Sequence, residues 1–303
     1  MIEYSDVRYL LAKKPVDDRC LNQTVLAALR TELAKIVSGQ PLSVLELGAG
    51  VGTMVSRLSD WNVIRHAEYT LVDRDKDSLD AARAQLLSWG GASAAPIAGG
   101  GVQISGPELD LRVRFLHTNL LEHVTALESR QRYDLVTANA VLDLLELRPA
   151  LERIWLACKP GSPFWFTVNF DGDTILLPEL PLDERVMQLY HRTMDERVRD
   201  GKPAGDSKTG RRLLTVIPET RASLLAAGSS DWVVFPTESG YAGDESYFLH
   251  HIVHTIATAL TGHPELNPES FEAWVRLRHQ QIEQKQLCYI AHQLDVLGRC
   301  PPR

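Results

Sequence analysis

One short stretch constrains the fold of this chain more than any other, residues 43–52, which read Ser-Val-Leu-Glu-Leu-Gly-Ala-Gly-Val-Gly. The first five residues are mostly apolar and suit a β-strand, as in a buried parallel strand. Gly48, Gly50 and Gly52 then allow a tight turn and let a ligand approach the backbone without hindrance from Cβ atoms. Residues 53–58 can continue as a helix. The stretch therefore predicts a strand, a ligand-binding turn and a helix.

Two classes of ligand use such a turn. A dinucleotide site requires the pattern G-x-G-x-x-G, with the pyrophosphate at the helix N-terminus. The third glycine of that pattern would fall at position 53, which is Thr53. The glycines here follow the pattern G-x-G-x-G after Glu46, and a carboxylate at that place repels pyrophosphate but suits a cationic amino group. A glycine turn without a ligand is the remaining alternative.

A second acidic residue, Asp73, follows the glycine turn at a sequence separation typical of nucleotide-binding sites. Residues 69–75 read as a strand that ends in Asp73, which lies 21 residues after Gly52. An acid about 20 residues after the glycine turn can accept hydrogen bonds from both ribose hydroxyls. A plain strand end is the alternative for Asp73. Asp75 is predicted to cap the next helix, residues 76–87.

Glu46, the glycine turn and Asp73 together resemble the first motif and the downstream acid of the class I S-adenosylmethionine-dependent methyltransferases. The resemblance covers residues 43–170 with motifs and implies S-adenosylmethionine as cofactor. It also implies which residues contact each part of the cofactor. Those at the methionine end are Glu46, Gly48, Ala49, Gly50 and Gly52, and those at the ribose are Asp73 and Arg74. Asn119 and Leu120 would lie near the adenine, and Asn139 beside the transferred methyl group. Asn119 departs from the commoner aspartate, and its alternative role is that of a turn residue.

Strands and helices alternate over residues 43–170. Further strands are predicted at 111–116, 133–138 and 163–169, and such alternation indicates a parallel sheet with helices on both faces. A sixth strand is expected at 231–235 and a last one at 287–297, and the resemblance implies that the last strand inserts antiparallel beside the sixth. The predicted fold is therefore α/β: a Rossmann-like, seven-stranded, mostly parallel sheet with helices on both faces.

The same reasoning divides the chain into two parts. Residues 1–40 are predicted to form an N-terminal helical cap, and residues 41–303 a methyltransferase domain with a helical, substrate-side insertion at about 171–210. That insertion begins with a polar turn at 169–173, and residues 211–227 are predicted as a helix. The stretch 90–107 is rich in Gly, Ala and Ser and is expected to be a flexible insertion.

The candidate substrate residues lie outside the motifs. The polar cluster at 13–19 is predicted to be a solvated turn, with a lid or substrate-facing segment as the alternative. The resemblance implies that N-terminal helices cover the cofactor cleft, which makes Tyr9 and Arg19 lid candidates. The remaining substrate candidates are Asn169, Tyr190 and Tyr241.

Alignment of donor and nucleophile can supply most of the rate, because the methyl group of the cofactor is already activated. A general base is needed only if the nucleophile must lose a proton, and the candidates are Asp143, His191 and His292. The N/D-P-P-Y/F turn is missing, which disfavours DNA-adenine or glutamine-type substrates. His250 and His254 share a helix face, but the H-E-x-x-H pattern of zinc sites is absent, and no metal is expected.

The composition of the chain indicates which kinds of binding partner and which cellular location are expected. The net charge of −7 and the lack of a basic stripe argue against a nucleic-acid substrate. No signal peptide or membrane span is expected, and four scattered cysteines predict reduced thiols and a cytoplasmic enzyme with a small-molecule substrate. A homodimer is left open. Three alternatives remain: aminopropyl transfer by a polyamine-synthase-like enzyme, an NAD-dependent oxidoreductase, and a non-catalytic protein that binds S-adenosylmethionine.

Overall fold

Helices and parallel strands alternate through the first half of the chain, as predicted. The structure is a computed structural model and describes residues 2–36, 39–89, 93–126, 130–199 and 201–302. In chain order, the elements of this half are α1 (Asp6–Cys20), α2 (Gln23–Leu33), β1 (Leu42–Leu47), α3 (Thr53–Asp60), β2 (His66–Asp73), α4 (Lys76–Leu87), β3 (Ser93–Ile97), β4 (Gly101–Gly106), β5 (Leu109–His117), α5 (Leu120–Thr125), β6 (Leu135–Asn139), α6 (Leu147–Ala157) and β7 (Pro163–Leu177).

The second half completes the same sheet. Its elements are α7 (Asp183–Asp195), β8 (Val198–Arg199), β9 (Lys202–Pro203), α8 (Thr209–Glu219), β10 (Ser223–Ser229), β11 (Trp232–Val234), α9 (Glu245–Leu260), α10 (Pro268–Glu283) and β12 (Cys288–Arg299). Within the described residues, ten strands form one sheet in the order β10-β12-β7-β6-β1-β2-β5-β4-β3, and β11 also pairs with β12. The strands β5, β2, β1, β6 and β7 are mutually parallel, whereas β12 runs antiparallel between β7 and β10. The Rossmann-like fold and its antiparallel last strand are therefore confirmed.

Ten strands replace the predicted seven for two reasons. The stretch predicted to be a flexible insertion forms the β3–β4 hairpin, which extends the sheet by pairing with β5; residues 90–92 of that stretch lie outside the described ranges. Val102 and Ile104 of β4 are fully buried. Their packing stabilises a segment that its composition alone predicted to be flexible. The third additional strand is β11, because β10 and not residues 231–235 takes the sixth place in the sheet.

The elements after the fifth strand also differ from expectation. The predicted turn at 169–173 is instead an irregularity within β7, which continues to Leu177 and pairs with β12 on both sides of a register shift. The helix predicted over 211–227 ends at Glu219, and Ser223–Ser229 pairs with β12 instead. The long strands β7 and β12 therefore project beyond the parallel part of the sheet and form a wall there.

Helices cover both faces of the sheet. One buried core contains Val55 of α3, Leu79 of α4 and Phe248 of α9, whereas the other contains Ile154 of α6 and Leu213 of α8. Burial of this apolar surface is the main force that holds the layers together. The active edge of the sheet, where the parallel strands end, remains open to a cavity.

Helix α1 contradicts the predicted turn at 13–19. It runs from Asp6 to Cys20 through Pro15, and two members of the polar cluster, Lys13 and Asp17, are buried. The side chain of Lys13 donates to Asp17 one turn later, with 2.5 Å between Nζ and Oδ2. The cluster is therefore the inner face of a helix and not a solvated turn, as the alternative prediction allowed.

Candidate active site

The glycine turn after β1 has the backbone that its sequence requires. Gly48, Gly50 and Gly52 have φ angles of 62°, 51° and 70°, the left-handed region that favours glycine. A Cβ atom at Gly48 would lie 2.5 Å from Cγ2 of Val141. The turn thus brings bare backbone to the edge of the cavity.

Asp73 is tied to this turn. Its Oδ2 accepts a hydrogen bond of 2.7 Å from the amide of Gly50, and its Oδ1 accepts one of 2.9 Å from the amide of Asp75. Asp75 caps α4, as predicted, by accepting from the amide of Ser78. The end of β2 is therefore fixed beside the glycine turn, and the carboxylate of Asp73 faces the cavity with lone pairs left for a ligand.

Glu46 is a buried acid whose carboxyl group has an unpaired oxygen. It is 2% exposed, and its Oε2 has no hydrogen-bond partner among the described residues. The pKa of Glu46 is raised to about 8, mainly by burial and also by Asp73, whereas Tyr69 and Arg57 oppose the shift. A ligand ammonium group would satisfy this carboxyl group, so the residues at the turn fit the cationic amino end of S-adenosylmethionine.

The inner face of α1 adds a second charged group to the cavity. Asp17 accepts from Lys13, from Nε1 of Trp232 at 2.9 Å and from Nδ2 of Asn139 at 3.3 Å. Lys13, Asp17, Trp232 and Asn139 all line the cavity. The sequence prediction did not include Lys13, Asp17 or Trp232 among the site residues, because a dense polar cluster ordinarily indicates solvent.

The two asparagines after the parallel strands have structural partners. Oδ1 of Asn119 accepts from the amide of Leu121 at 2.8 Å and caps α5. Oδ1 of Asn139 accepts from the hydroxyl of Thr167 at 3.1 Å. Both residues also line the cavity, so Asn119 has the turn role that the sequence left as an alternative and still faces the predicted ligand.

The cavity has a volume of about 850 Å³ and contacts most of the predicted residues. The predicted site residues that line it are Tyr9, Glu46, Gly48, Ala49, Gly50, Asp73, Arg74, Asn119, Leu120, Asn139, Asp143 and Tyr190. Their roles toward a ligand remain predictions. Gly52 lies just outside this set, at the N-cap of α3.

Three predicted substrate residues do not line the cavity, because other parts of the fold hold their side chains. Arg19 pairs with Glu245. Nδ2 of Asn169 donates to the carbonyl of Leu294, and the hydroxyl of Tyr241 donates to the carbonyl of Leu287, each at 2.8 Å. These contacts do not support a substrate role.

The two histidine candidates are also displaced from the cavity. Nδ1 of His292 lies 2.8 Å from Asp231, and its Nε2 lies 3.5 Å from Asp171. His191 contacts Thr174, which lines the cavity, with 3.2 Å between Nε2 and Oγ1. Burial lowers the pKa of His191. Asp143 is therefore the one proposed base that faces the cavity directly.

The far end of the cavity combines α1 and α7, from which the sequence predicted Tyr9 and Tyr190, with parts of β7, β11, α9 and β12 that the motifs did not connect to the site. The residues that line it there include Tyr9, Phe170, Thr174, Tyr190, Met194, Trp232, Ile252, Ile256, Tyr289 and Gln293. They come from α1, β7, α7, β11, α9 and β12. The sequence signal that could have found Tyr289 and Gln293 is their shared face of the last strand, because side chains alternate along a strand.

Comparison with known proteins agrees with this architecture. Residues 45–164 match a family model described as a methyltransferase domain. No curated protein matches the chain in sequence. A candidate methyltransferase from Bacillus halodurans C-125 has a similar structure, with a TM-score of 0.50, 12% identity, and coverage of 92% of this chain and 99% of that chain.

Two further solved structures are similar at lower scores. For a candidate sarcosine dimethylglycine methyltransferase from Galdieria sulphuraria, the TM-score is 0.44 at 12% identity, with coverage of 94% of this chain and 85% of that chain. For the YcgJ protein from Bacillus subtilis, the TM-score is 0.46 at 13% identity, with coverage of 92% and 98%.

The matched family region contains the glycine turn, Asp73 and both cavity asparagines, and the fold is that of the Bacillus halodurans protein. Residues 45–164 contain a methyltransferase domain, which agrees with the resemblance to the class I S-adenosylmethionine-dependent methyltransferases. A methyltransferase domain agrees with the predicted cofactor, S-adenosylmethionine. The described helices are all too short or too polar to span a bilayer.

Proposed function

We propose that this protein transfers the methyl group of S-adenosylmethionine to a small-molecule acceptor held at the far end of the cavity. One observation supports this most strongly: a single cavity of about 850 Å³ is lined at one end by the glycine turn and Asp73 and at the other by the side chains from α1, α7, α9, β11 and β12. Such a volume lies within the range of about 300–1,000 Å³ that is usual for small-ligand sites. The walls at the far end favour an acceptor small enough to be surrounded.

The chain's own residues would hold the donor as follows. Bound S-adenosylmethionine supplies a methyl group that its sulfonium already activates. Glu46 is suited to the amino group of the methionine end, and Lys13, one of the cationic residues that line the cavity, is suited to its carboxylate. Asp73 is suited to the ribose hydroxyls. Because these groups are held by β1, α1 and β2, the protein contributes orientation and exclusion of water more than chemistry.

Two further parts of the proposal concern location and partners. We infer a cytoplasmic protein, which the free state of Cys20, Cys158, Cys288 and Cys300 supports. The net charge of −7 supports an acceptor that is not a nucleic acid.

The experiment that tests the proposal follows a labelled methyl group. The protein is incubated with S-adenosylmethionine labelled in its methyl group and with a bacterial lysate that has been separated by size. Protein-dependent label is expected in the small-molecule fraction, and Asp73→Asn is expected to reduce it strongly. Label found only in the retained protein or RNA contradicts the small-molecule acceptor.

A parallel incubation separates methyl transfer from aminopropyl transfer. Decarboxylated S-adenosylmethionine, labelled in its aminopropyl group, lacks the carboxylate for which Lys13 is suited. No transfer of this label is expected. Transfer of the aminopropyl group in place of the methyl group would favour the polyamine-synthase alternative.

A further inference from the structure

Three tyrosines meet at the far end of the cavity. Tyr9 of α1, Tyr190 of α7 and Tyr289 of β12 line it together, and we call this group the tyrosine pocket. Their hydroxyls make no hydrogen bond to any described residue. Burial raises the pKa of all three, that of Tyr190 to about 12. The hydroxyls therefore stay neutral and offer oxygen atoms to a ligand.

Asp143 lies beside the tyrosine pocket, in the short turn Leu142–Leu144 after β6. Its Oδ1 is buried and has no hydrogen-bond partner within the described ranges. Burial raises the pKa of Asp143, while its own backbone amide, Arg197 and Lys13 oppose the shift. A buried carboxyl oxygen without a donor destabilises the protein, and a ligand that donates a hydrogen bond to it removes that cost.

The charges at this end favour a cationic ligand. Lys13 and Asp17 compensate each other at 2.5 Å, so together they add no net charge that would balance Asp143. Arg197, the other cation near Asp143, does not line the cavity. Asp143 is therefore the acid of the tyrosine pocket that a ligand has to neutralise, and aromatic faces around it attract cations.

Gln293 provides an independent observation. It is 2% exposed, it lines the cavity on the same face of β12 as Tyr289, and its Oε1 has no donor among the described residues. The pocket therefore presents acceptor oxygens of Gln293 and Asp143 that have no donor, beside tyrosine hydroxyls that can accept or donate. A ligand that satisfies them must carry several hydrogens on one polar atom, as an amino group does.

We propose that the acceptor is an amine whose nitrogen binds between Asp143 and the tyrosine pocket. This inference rests on the proposed function and names the class of its acceptor.

The chemistry of that arrangement balances with the groups present. The amine enters as an ammonium ion and transfers one proton to the carboxylate of Asp143. The lone pair of the neutral nitrogen forms the new bond to the methyl carbon as the carbon–sulfur bond breaks, and the electron pair of that bond stays on the sulfur of S-adenosylhomocysteine. The product leaves as a methylated ammonium ion, and the proton on Asp143 passes to solvent, so each turnover releases one proton.

The test measures binding and not turnover. Protein saturated with S-adenosylhomocysteine is titrated calorimetrically with ethylamine, hexylamine and 2-phenylethylamine, and with the three alcohols of the same carbon skeletons. A hydrogen bond to a charged group contributes about 1.5–3 kcal/mol, so at least one amine is expected to bind about tenfold or more tightly than its alcohol. Equal affinity for amines and alcohols, or no binding of any amine to the loaded protein, overturns the inference.

Two variants test whether Asp143 is responsible for the preference for amines over alcohols. Asp143→Asn is expected to reduce the preference for the amine to less than about threefold, and its binding of S-adenosylhomocysteine shows that it is folded. Asp173→Asn removes the same charge from an exposed position on β7 that does not line the cavity, and it should keep the full preference. An unchanged preference in Asp143→Asn contradicts the inference.

The two proposals fail in different ways. Protein that does not bind S-adenosylhomocysteine refutes the proposed function and the amine together. Protein that binds S-adenosylhomocysteine and discriminates no amine refutes only the amine.

Discussion

Lys13→Met should destabilise the protein far more than the same substitution one residue later. Lys13 and Asp17 are 7% and 2% exposed, with 2.5 Å between Nζ and Oδ2. Removal of one partner from a buried ion pair usually costs about 3–5 kcal/mol, because the other charge is left uncompensated. Asp17 keeps hydrogen bonds from Trp232 and Asn139 and a longer ion pair of 3.8 Å with buried Arg57, so we expect the lower end of that range, about 3 kcal/mol.

Lys14→Met is the matched control. Lys14 pairs with Asp18 at 2.6 Å with the same spacing on the same helix, but these side chains are 30% and 29% exposed. Exposed pairs contribute less than about 1 kcal/mol, and Asp18 also keeps its contact with Arg57. Because Lys and Met have similar helix propensities, the difference between the two variants isolates burial.

Urea denaturation followed by circular dichroism measures both free energies of unfolding. The double variant Lys13→Met/Asp17→Asn should recover part of the loss, because it leaves no uncompensated charge. The reasoning is refuted if Lys13→Met unfolds within about 1 kcal/mol of the wild type, or if Lys14→Met costs as much. The first result would mean that the inner face of α1 is solvated, and the second that burial does not set the strength of these pairs.

Two other predictions concern the cofactor end. Gly48→Ala combines a strained φ of 62° with a Cβ atom 2.5 Å from Val141, so it should lower the free energy of unfolding by about 2 kcal/mol or more and weaken the binding of S-adenosylhomocysteine. The control is Gly161→Ala, which has a φ of 74° and nothing within 4 Å, so it should cost only the backbone strain and leave binding intact. Equal effects of the two variants in denaturation and titration would contradict this prediction. With its pKa raised to about 8, Glu46 is mainly protonated at pH 7, and an ammonium ligand lowers that pKa. Binding of S-adenosylhomocysteine should therefore release a proton and give different calorimetric enthalpies in Tris and phosphate buffers, a difference that Glu46→Gln removes; identical enthalpies in the wild type would argue against the contact.

The cofactor end could be predicted from the sequence because its determinants are local. The glycines are required by φ angles that other residues rarely adopt, and the distance from Gly52 to Asp73 is set by one helix and one strand. Most strands with apolar runs were found within a few residues of their observed bounds for the same reason, whereas the fifth, predicted at 163–169, extends to Leu177. A pattern of neighbouring residues fixes such features, whatever the rest of the chain does.

The far end of the cavity depends on pairings between distant residues. Tyr289 and Gln293 reach the site only because β12 pairs with the extended β7, and the sequence around 169–173 suggested a turn there instead. Lys13 and Asp17 read as solvated because burial of an ion pair depends on the groups that surround it. The β3–β4 hairpin was missed because Gly, Ala and Ser obscure the alternation of Val102 and Ile104.

The most direct test of the central claim is a calorimetric titration of the protein with S-adenosylmethionine, S-adenosylhomocysteine and NAD, repeated on Asp73→Ala. We predict that both sulfur compounds bind in the micromolar range, that NAD does not bind, and that Asp73→Ala loses the binding. Binding of NAD in their place, or of none of the three, would contradict the assignment of this cavity to S-adenosylmethionine.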